Sequence, residues 1–374
     1  MRVVRADVPR LRDYRGEIVL MSDKVLMKGN EAMAEAAILA GCRHYFGYPI
    51  TPQTEVAAYM AKKMPKIGGT FLQAESEIAA INMVYGVAST GKPAMTSSSS
   101  PGISLKAEGI SYLAGADLPG LIVNVQRGGP GLGGIQPSQS DYFFATRGPG
   151  HGDFHVLVFA PASVQEMADL TGKAFHLAWK YRMPAMLLAD GTLGQMMEPV
   201  ELPEPHDAFG TDNPWATTGT NMEREHNIVN SLYLSPEELE RKNIERFERY
   251  KQVEAEECLW EEYLMDDAEI CVVSYGITAR ISKNAIAEAR KEGIKVGMIR
   301  PITLWPFPNK PLAAAADKVD SFLSVELNMG QMVEDIKLAI DCKKPVDFCG
   351  RVGGMIPTPD EVLDHIRALA EGGR

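Results

Sequence analysis

The chain has 374 residues, 45% hydrophobic and 23% charged, the proportions of a globular protein whose length predicts two domains rather than one core. Its net charge of −11 argues against nucleic acid or an anionic membrane surface as partner, and no apolar run reaches the length of a membrane span. Five cysteines are scattered without a C-x-x-C pair, so the chain reads as a cytoplasmic protein carrying no iron–sulfur or zinc site of its own. Residues 1–20 hold several arginines but no apolar core ahead of a cleavage site. Residues 1–23 therefore read as a tail, or as an upstream start before Met21.

From 24 to 200 the pattern alternates strands with amphipathic or small-residue helices. Gly29-Asn30 precedes an alanine-rich helix to Leu39, and a strand at 44–48 leads to a helix over 54–63. A strand at 70–72 is followed by a small-residue helix over 78–89, which suits close packing. The strand at 93–96 runs into the serines 97–100, Pro101 and Gly102, then a helix to Ala114. An apolar strand at 121–125 reads as covered on both faces. A long glycine- and proline-rich loop, 126–155, separates it from a strand at 156–159, a helix over 163–179 and a strand at 185–189. This order predicts an α/β fold with a doubly wound parallel sheet.

Residues 201–267 read as a connector. Its second half is a charged helix with Ser235 as N-cap, Pro236 at the first position and Glu238 three residues on. Ile244, Phe247, Tyr250 and Val253 form its expected apolar stripe. A second, smaller α/β unit covers 268–374, with strands at 270–274, 296–299 and 322–325, helices over 279–292 and 331–340, and a proline-stiffened loop at 300–308.

The chemistry concentrates after the strands. Tyr48-Pro49-Ile50-Thr51-Pro52 is a stiff, non-helical corner, because proline fixes φ and pushes its predecessor out of the helical region. Gln73-Ala74-Glu75-Ser76-Glu77 and Gln126-Arg127-Gly128-Gly129-Pro130 also follow strands. In one parallel sheet all three turns meet at its carboxyl edge, where such sheets bind ligands. Glu75 and Glu77 both suit a helix start, but two residues apart they point in nearly opposite directions, so at most one faces a ligand. Arg127 at the mouth of a glycine-rich loop suits an anion. That loop lacks the dinucleotide spacing, the serine run lacks a nucleophile elbow, and His151, Asp153 and His155 read as structural.

Gly29-Asn30-Glu31-Ala32, the Tyr48–Pro52 corner, Ser76-Glu77, the 126–130 turn and the 300–308 loop occur in an order that resembles one family. It is the thiamine-diphosphate-dependent 2-oxoacid:ferredoxin oxidoreductases, specifically the alpha-type subunit with a pyrimidine-binding fold and a transketolase-C-like domain. The run 131–142 resembles the 2-oxoisovalerate (3-methyl-2-oxobutanoate) members most, then the 2-oxoglutarate members. The resemblance implies CoA-dependent oxidative decarboxylation of a 2-oxoacid to acyl-CoA and CO2, with reduction of ferredoxin. It gives Glu77 the cofactor's aminopyrimidine, Thr51 and Arg127 the substrate carboxylate, and Ser99 and Gly102 places along the cofactor. The family's Gly-Asp-Gly magnesium motif is missing, since Gly152-Asp153 and Asp190-Gly191 lack its continuation. Mg²⁺ and the diphosphate then fall to a beta-type subunit. A gamma-type subunit and a ferredoxin-like subunit with 4Fe–4S clusters complete the implied complex. The competing expectation is a non-catalytic assembly subunit, which intact Thr51, Glu77 and Arg127 oppose.

Overall fold

The computed structural model describes residues 24–205, 209 and 213–372; the tail read at 1–23 lies outside them. In chain order, β1 (Val25–Lys28) leads into α1 (Gly29–Leu39), β2 (His44–Gly47), α2 (Thr54–Lys63), β3 (Thr70–Gln73) and α3 (Glu77–Ser89). Then come β4 (Ala94–Ser98), α4 (Ser100–Gly115), β5 (Gly120–Gln126), the short α5 (Tyr142–Thr146), β6 (Leu157–Phe159) and α6 (Val164–Tyr181). β7 (Pro184–Asp190), α7 (Gly191–Gln195) and β8 (Met197–Val200) close the first half.

Six of these strands form a parallel sheet in the order β6-β7-β5-β4-β2-β3. Every residue of β5 and β7 is buried, as expected of strands covered by helices on both faces. The chain moves outward from β2 to β3, then returns so that β4 pairs with the other side of β2. This reversal leaves a crevice at the carboxyl ends of β2 and β4. The serine run is less of a loop than its sequence suggests: Ser97 and Ser98 are the last residues of β4. The close approach of α3 to α4 depends on a small residue of α4, since a Cβ on Gly109 would run into Ile81 of α3.

The second half supplies α8 (Pro236–Glu256), β9 (Trp260–Tyr263), β10 (Ile270–Ser274), α9 (Gly276–Lys291), β11 (Val296–Pro301) and β12 (Thr303–Trp305). α10 (Asn309–Ala316), β13 (Ser321–Glu326), α11 (Met332–Ala339), β14 (Val346–Gly350) and α12 (Pro359–Gly372) follow. Ser235 caps α8 by accepting from Glu238 N at 3.3 Å, as its sequence predicts. The stripe on α8 differs from expectation. Tyr250 and Val253 are buried, but Ile244 is 58% exposed and Arg246 takes the inward place, bonded to Asp117 and to Gly115 O. Nine residues at roughly 100° each place Ile244 half a turn away from Val253, so a run of three-residue steps drifts off the buried face.

The smaller sheet has the order β14-β13-β10-β11-β9, parallel except for β9, which comes from the stretch read as connector. β12 leaves its own unit altogether and pairs antiparallel with β6 at the edge of the large sheet. The loop at 300–308 is thus a joint. Its Arg300 holds both oxygens of Glu166 at 2.7 and 2.8 Å and Glu261 at 2.7 Å. Gln139 closes the joint elsewhere, donating to Tyr275 O at 2.9 Å and accepting from Leu327 N at 3.0 Å.

Candidate active site

The proline corner after β2 is held from below and behind. Gln53 is fully buried, donates to Tyr48 O at 3.2 Å and accepts from Ser97 Oγ at 2.5 Å; Ser97 in turn meets Tyr45 OH at 2.7 Å. Asn30 Nδ2 donates to Pro52 O at 2.9 Å and to Glu55 at 3.1 Å. Gly29 is required beside it, because any Cβ there would strike the Leu193 carbonyl. The Gly29-Asn30 pair therefore clamps the corner and leaves Thr51 exposed at its tip.

Glu77 is the first residue of α3, whose N-cap Ser76 accepts from Ala79 N at 3.2 Å. Its side chain turns inward to 7% exposure, while Glu75 stays exposed, so the two acids divide as their spacing requires. A Cβ on Gly102 would strike Ser98 Oγ and stand 2.6 Å from Glu77 Oε1. Glycine is what lets the carboxylate lie against α4. No hydrogen bond from any described residue reaches that carboxylate. Ser98 and Ser99, both fully buried, also end in hydroxyls without a partner among the described residues. Buried polar groups are normally satisfied, so three without a partner around one helix start set this place apart.

Arg127 follows β5 and is 6% exposed. Its Nη1 donates to Thr51 O and its Nη2 to Leu132 O, each at 3.0 Å, while Nε has no partner among the described residues. Its backbone N donates to Ser100 Oγ at 3.1 Å, and Ser100 donates to Asp141 at 2.5 Å. Burial pushes the Asp141 carboxyl above its usual range, and the Ser100 and Asn124 hydrogen bonds hold it back. The loop after Arg127 curls back on itself, Gly134 N to Gly128 O at 2.9 Å, with Gly133 at φ +59° where a side chain would meet the Gly128 carbonyl. A cleft of ≈590 Å³ opens here between Arg127, the glycine loop, Asn328 and Met329.

The first turn of α4 ties the three expected residues together: Gly102 lies against Glu77, and Ser100 against Arg127, which grips Thr51. Ser99, the fully buried N-cap of α4, sits between them. The histidines behave otherwise. His155 stacks on Trp305 with ring centres 4.5 Å apart, while His151 lends its carbonyl to Ser111 and sets its ring edge-on to Tyr112. Asp190 spends one oxygen on Thr192 N and Leu193 N, capping α7, and burial raises it to about 6. One residue was passed over in the sequence. Lys106 is fully buried beneath this turn. Its spacing with Ile103, Ile110 and Leu113 already placed it in the inward stripe of α4.

Comparison with known proteins agrees with this arrangement. The family described as "Pyruvate flavodoxin/ferredoxin oxidoreductase, thiamine diP-bdg" matches residues 35–259, and "Pyruvate:ferredoxin oxidoreductase core domain II" matches 268–362. The chain is 50% identical to ketoisovalerate oxidoreductase subunit VorB of Methanothermobacter thermautotrophicus, over 92% of this chain and 97% of that one. It is 36% identical to 2-oxoglutarate synthase subunit KorA of the same organism, over 92% and 99%. Among solved structures, 2-oxoglutarate:ferredoxin oxidoreductase from Magnetococcus marinus, with 2-oxoglutarate, coenzyme A and succinyl-CoA bound, superposes with a TM-score of 0.81 at 29% identity. That match covers 93% of this chain and 65% of the longer one.

Proposed function

The chain belongs to the 2-oxoacid:ferredoxin oxidoreductase family, and from that premise we propose that it is the pyrimidine-side subunit of an enzyme acting on 2-oxoisovalerate. The reaction joins the acyl group to coenzyme A, releases the carboxylate as CO2 and passes the electrons to ferredoxin. The substrate follows the 50% identical relative named for ketoisovalerate; the 36% identical relatives named for 2-oxoglutarate stand second. In this reading 24–200 is the pyrimidine-binding unit, 201–267 the connector and 268–374 the transketolase-C-like unit.

The observation that carries the reading is the unpartnered Glu77 carboxylate, nearly buried against Gly102 and one helix turn from the Arg127–Thr51 pair. Thiamine diphosphate, when bound, supplies the electron sink that decarboxylation of a 2-oxoacid needs. Glu77 is placed to hold the aminopyrimidine, with Ser99 and the Cβ-free surface of Gly102 beside it. Arg127 lines the cleft and would bring its charge to the substrate carboxylate, while its two terminal nitrogens fix Thr51 and Leu132. The Thr51 hydroxyl stands at the exposed corner next to it. A grip by one charge and one hydroxyl suits a carboxylate that must leave, since tighter ground-state binding would not speed its loss.

The site is half-built. Leu72 in β3, Ile78 next to Glu77 in α3 and Leu105 in α4 are 40%, 49% and 51% exposed, apolar surface suited to a covering chain. We assign that cover to a beta-type subunit that brings the diphosphate and Mg²⁺, accompanied by a gamma-type subunit and a ferredoxin-like subunit with 4Fe–4S clusters. Five unpaired cysteines suit the cytoplasm as the place of work. Among the described residues no helix is long and apolar enough to cross a membrane. The test is a panel of 2-oxoacids on the purified complex, scored by acyl-CoA formed. Preference for 2-oxoisovalerate supports the reading; preference for 2-oxoglutarate transfers the chain to the second substrate.

A further inference from the structure

Helix α4 carries one charge on its buried side. Lys106 lies four residues beyond Gly102, so its side chain leans back over the first turn, toward Glu77. It is fully buried, and among the described residues its Nζ makes one hydrogen bond, to Thr96 Oγ1 of β4 at 2.8 Å. An ammonium has three protons to place, and a buried one left short of partners works against folding. A methionine of similar length would remove that penalty. The fold therefore keeps a charge that it does not need for packing.

The charges around it are few. β4 and β5 hold no titratable side chain, α3 holds Glu77 and Tyr85, and β7 ends in Asp190, which caps α7. Residues 147–153, which touch α4 at Ala107 and Ser111, bring Arg147, His151 and Asp153, and Glu108 of α4 itself bonds Tyr112. Asp141 and Arg127 meet Ser100 at the start of α4, and Arg246 of α8 donates to Gly115 O at its end. Of all these, Glu77 alone acts on Lys106: burial pushes the ammonium down from 10.5 to about 7, and the Glu77 carboxylate pulls it back up.

We propose that Lys106 is a positioning residue for the reaction: its buried ammonium lies under the first turn of α4, on the helix face where Gly102 abuts Glu77, and keeps that carboxylate turned to the cleft. This rests on the assignment of Glu77 to the pyrimidine, and the experiment separates the two. In the reconstituted complex, Lys106→Met should lower kcat by up to about 10²-fold with the KM for the 2-oxoacid little changed, and Lys106→Arg, which keeps the charge, should recover part of that loss. A lysine that serves only packing leaves kcat of Lys106→Met at the wild-type value.

The second readout is unfolding of the full chain without cofactor. Lys106 binds its proton more weakly folded than unfolded, so wild-type stability should rise with pH between about 7 and 10.5. Lys106→Met should lack that rise. Glu77→Gln, which removes the opposing charge, should make it begin at lower pH. An unmoved rise in Glu77→Gln shows that the two side chains are uncoupled and overturns the proposal, whether or not Lys106→Met folds. Full turnover by Glu77→Gln would instead remove the underlying cofactor assignment.

Discussion

Replacing Arg127 with alanine probes the proposed substrate end of the site. The guanidinium is 6% exposed and occupies two of its three nitrogens on Thr51 O and Leu132 O. Its loss leaves those two carbonyls without their donor, at up to about 1–3 kcal/mol each where water cannot replace it. Both lie on exposed loop segments, so the stability effect belongs at the low end of that range. In the role proposed for it the kinetic effect should be larger, because the substrate carboxylate would lose its charged partner in a cleft that a partner chain covers. About 2–5 kcal/mol in kcat/KM is the usual loss when one member of a buried charged pair is truncated. At about 1.36 kcal/mol per factor of ten, this corresponds to roughly 30-fold to about 5,000-fold. Arg127→Lys keeps the charge but cannot serve Thr51, Leu132 and the substrate together, so it should fall between wild type and alanine. The assay is initial rate against 2-oxoacid concentration in the reconstituted complex, with coenzyme A varied separately. A lysine variant equal to wild type, or a loss confined to coenzyme A, refutes the reasoning.

Glu77→Gln should abolish turnover while far-UV circular dichroism and assembly with partners stay intact, and Glu75→Gln should be far milder; the opposite ranking would reverse the inward and outward faces seen here. Gly102→Ala introduces a methyl that stands 2.6 Å from Glu77 Oε1, so the carboxylate must move. A displacement of that kind costs on the order of 10²-fold in rate, and wild-type turnover would show that Glu77 has no fixed task at this place. Asp190→Asn tests the pH account. Burial raises the carboxyl from 3.8 to about 6, so the folded chain holds this proton to higher pH than the unfolded chain does. The stability it contributes is complete below 3.8 and gone above about 6. Asparagine keeps the oxygen that caps α7 without the buried charge but sets its amide against Ile277 N–H, so the variant should gain on wild type across that window from a lower start at acid pH. A difference independent of pH, followed by denaturant unfolding, would contradict this.

Much of the site was legible because its signals are covalent or local. Proline sets the Tyr48–Pro52 corner whatever surrounds it, and Ser235 caps the helix that follows it. Apolar runs at 121–125 and 185–189 could only be covered strands, and parallel order then brought the three turns to one edge. What stayed hidden depends on distant partners. β12 is three residues between prolines, and only the edge of β6 makes it a strand. β14 follows Pro345 with a half-buried Val-Asp-Phe start that carries no continuous apolar run. Lys106 fell in the inward stripe of α4, but a charged residue in a helix ordinarily faces water. Ile244 misled for the converse reason: an apolar residue needs no burial, and only the phase of the helix decided its side.

The central claim is that Glu77, Thr51 and Arg127 meet one thiamine cofactor across a boundary between two chains. A structure of the assembled complex with thiamine diphosphate bound tests it most directly. The account predicts the Glu77 carboxylate within about 2.6–3.2 Å of the aminopyrimidine, with Arg127 and Thr51 on the side where the substrate enters. A pyrimidine ring seated away from Glu77, or a cofactor held entirely by another subunit, would contradict it.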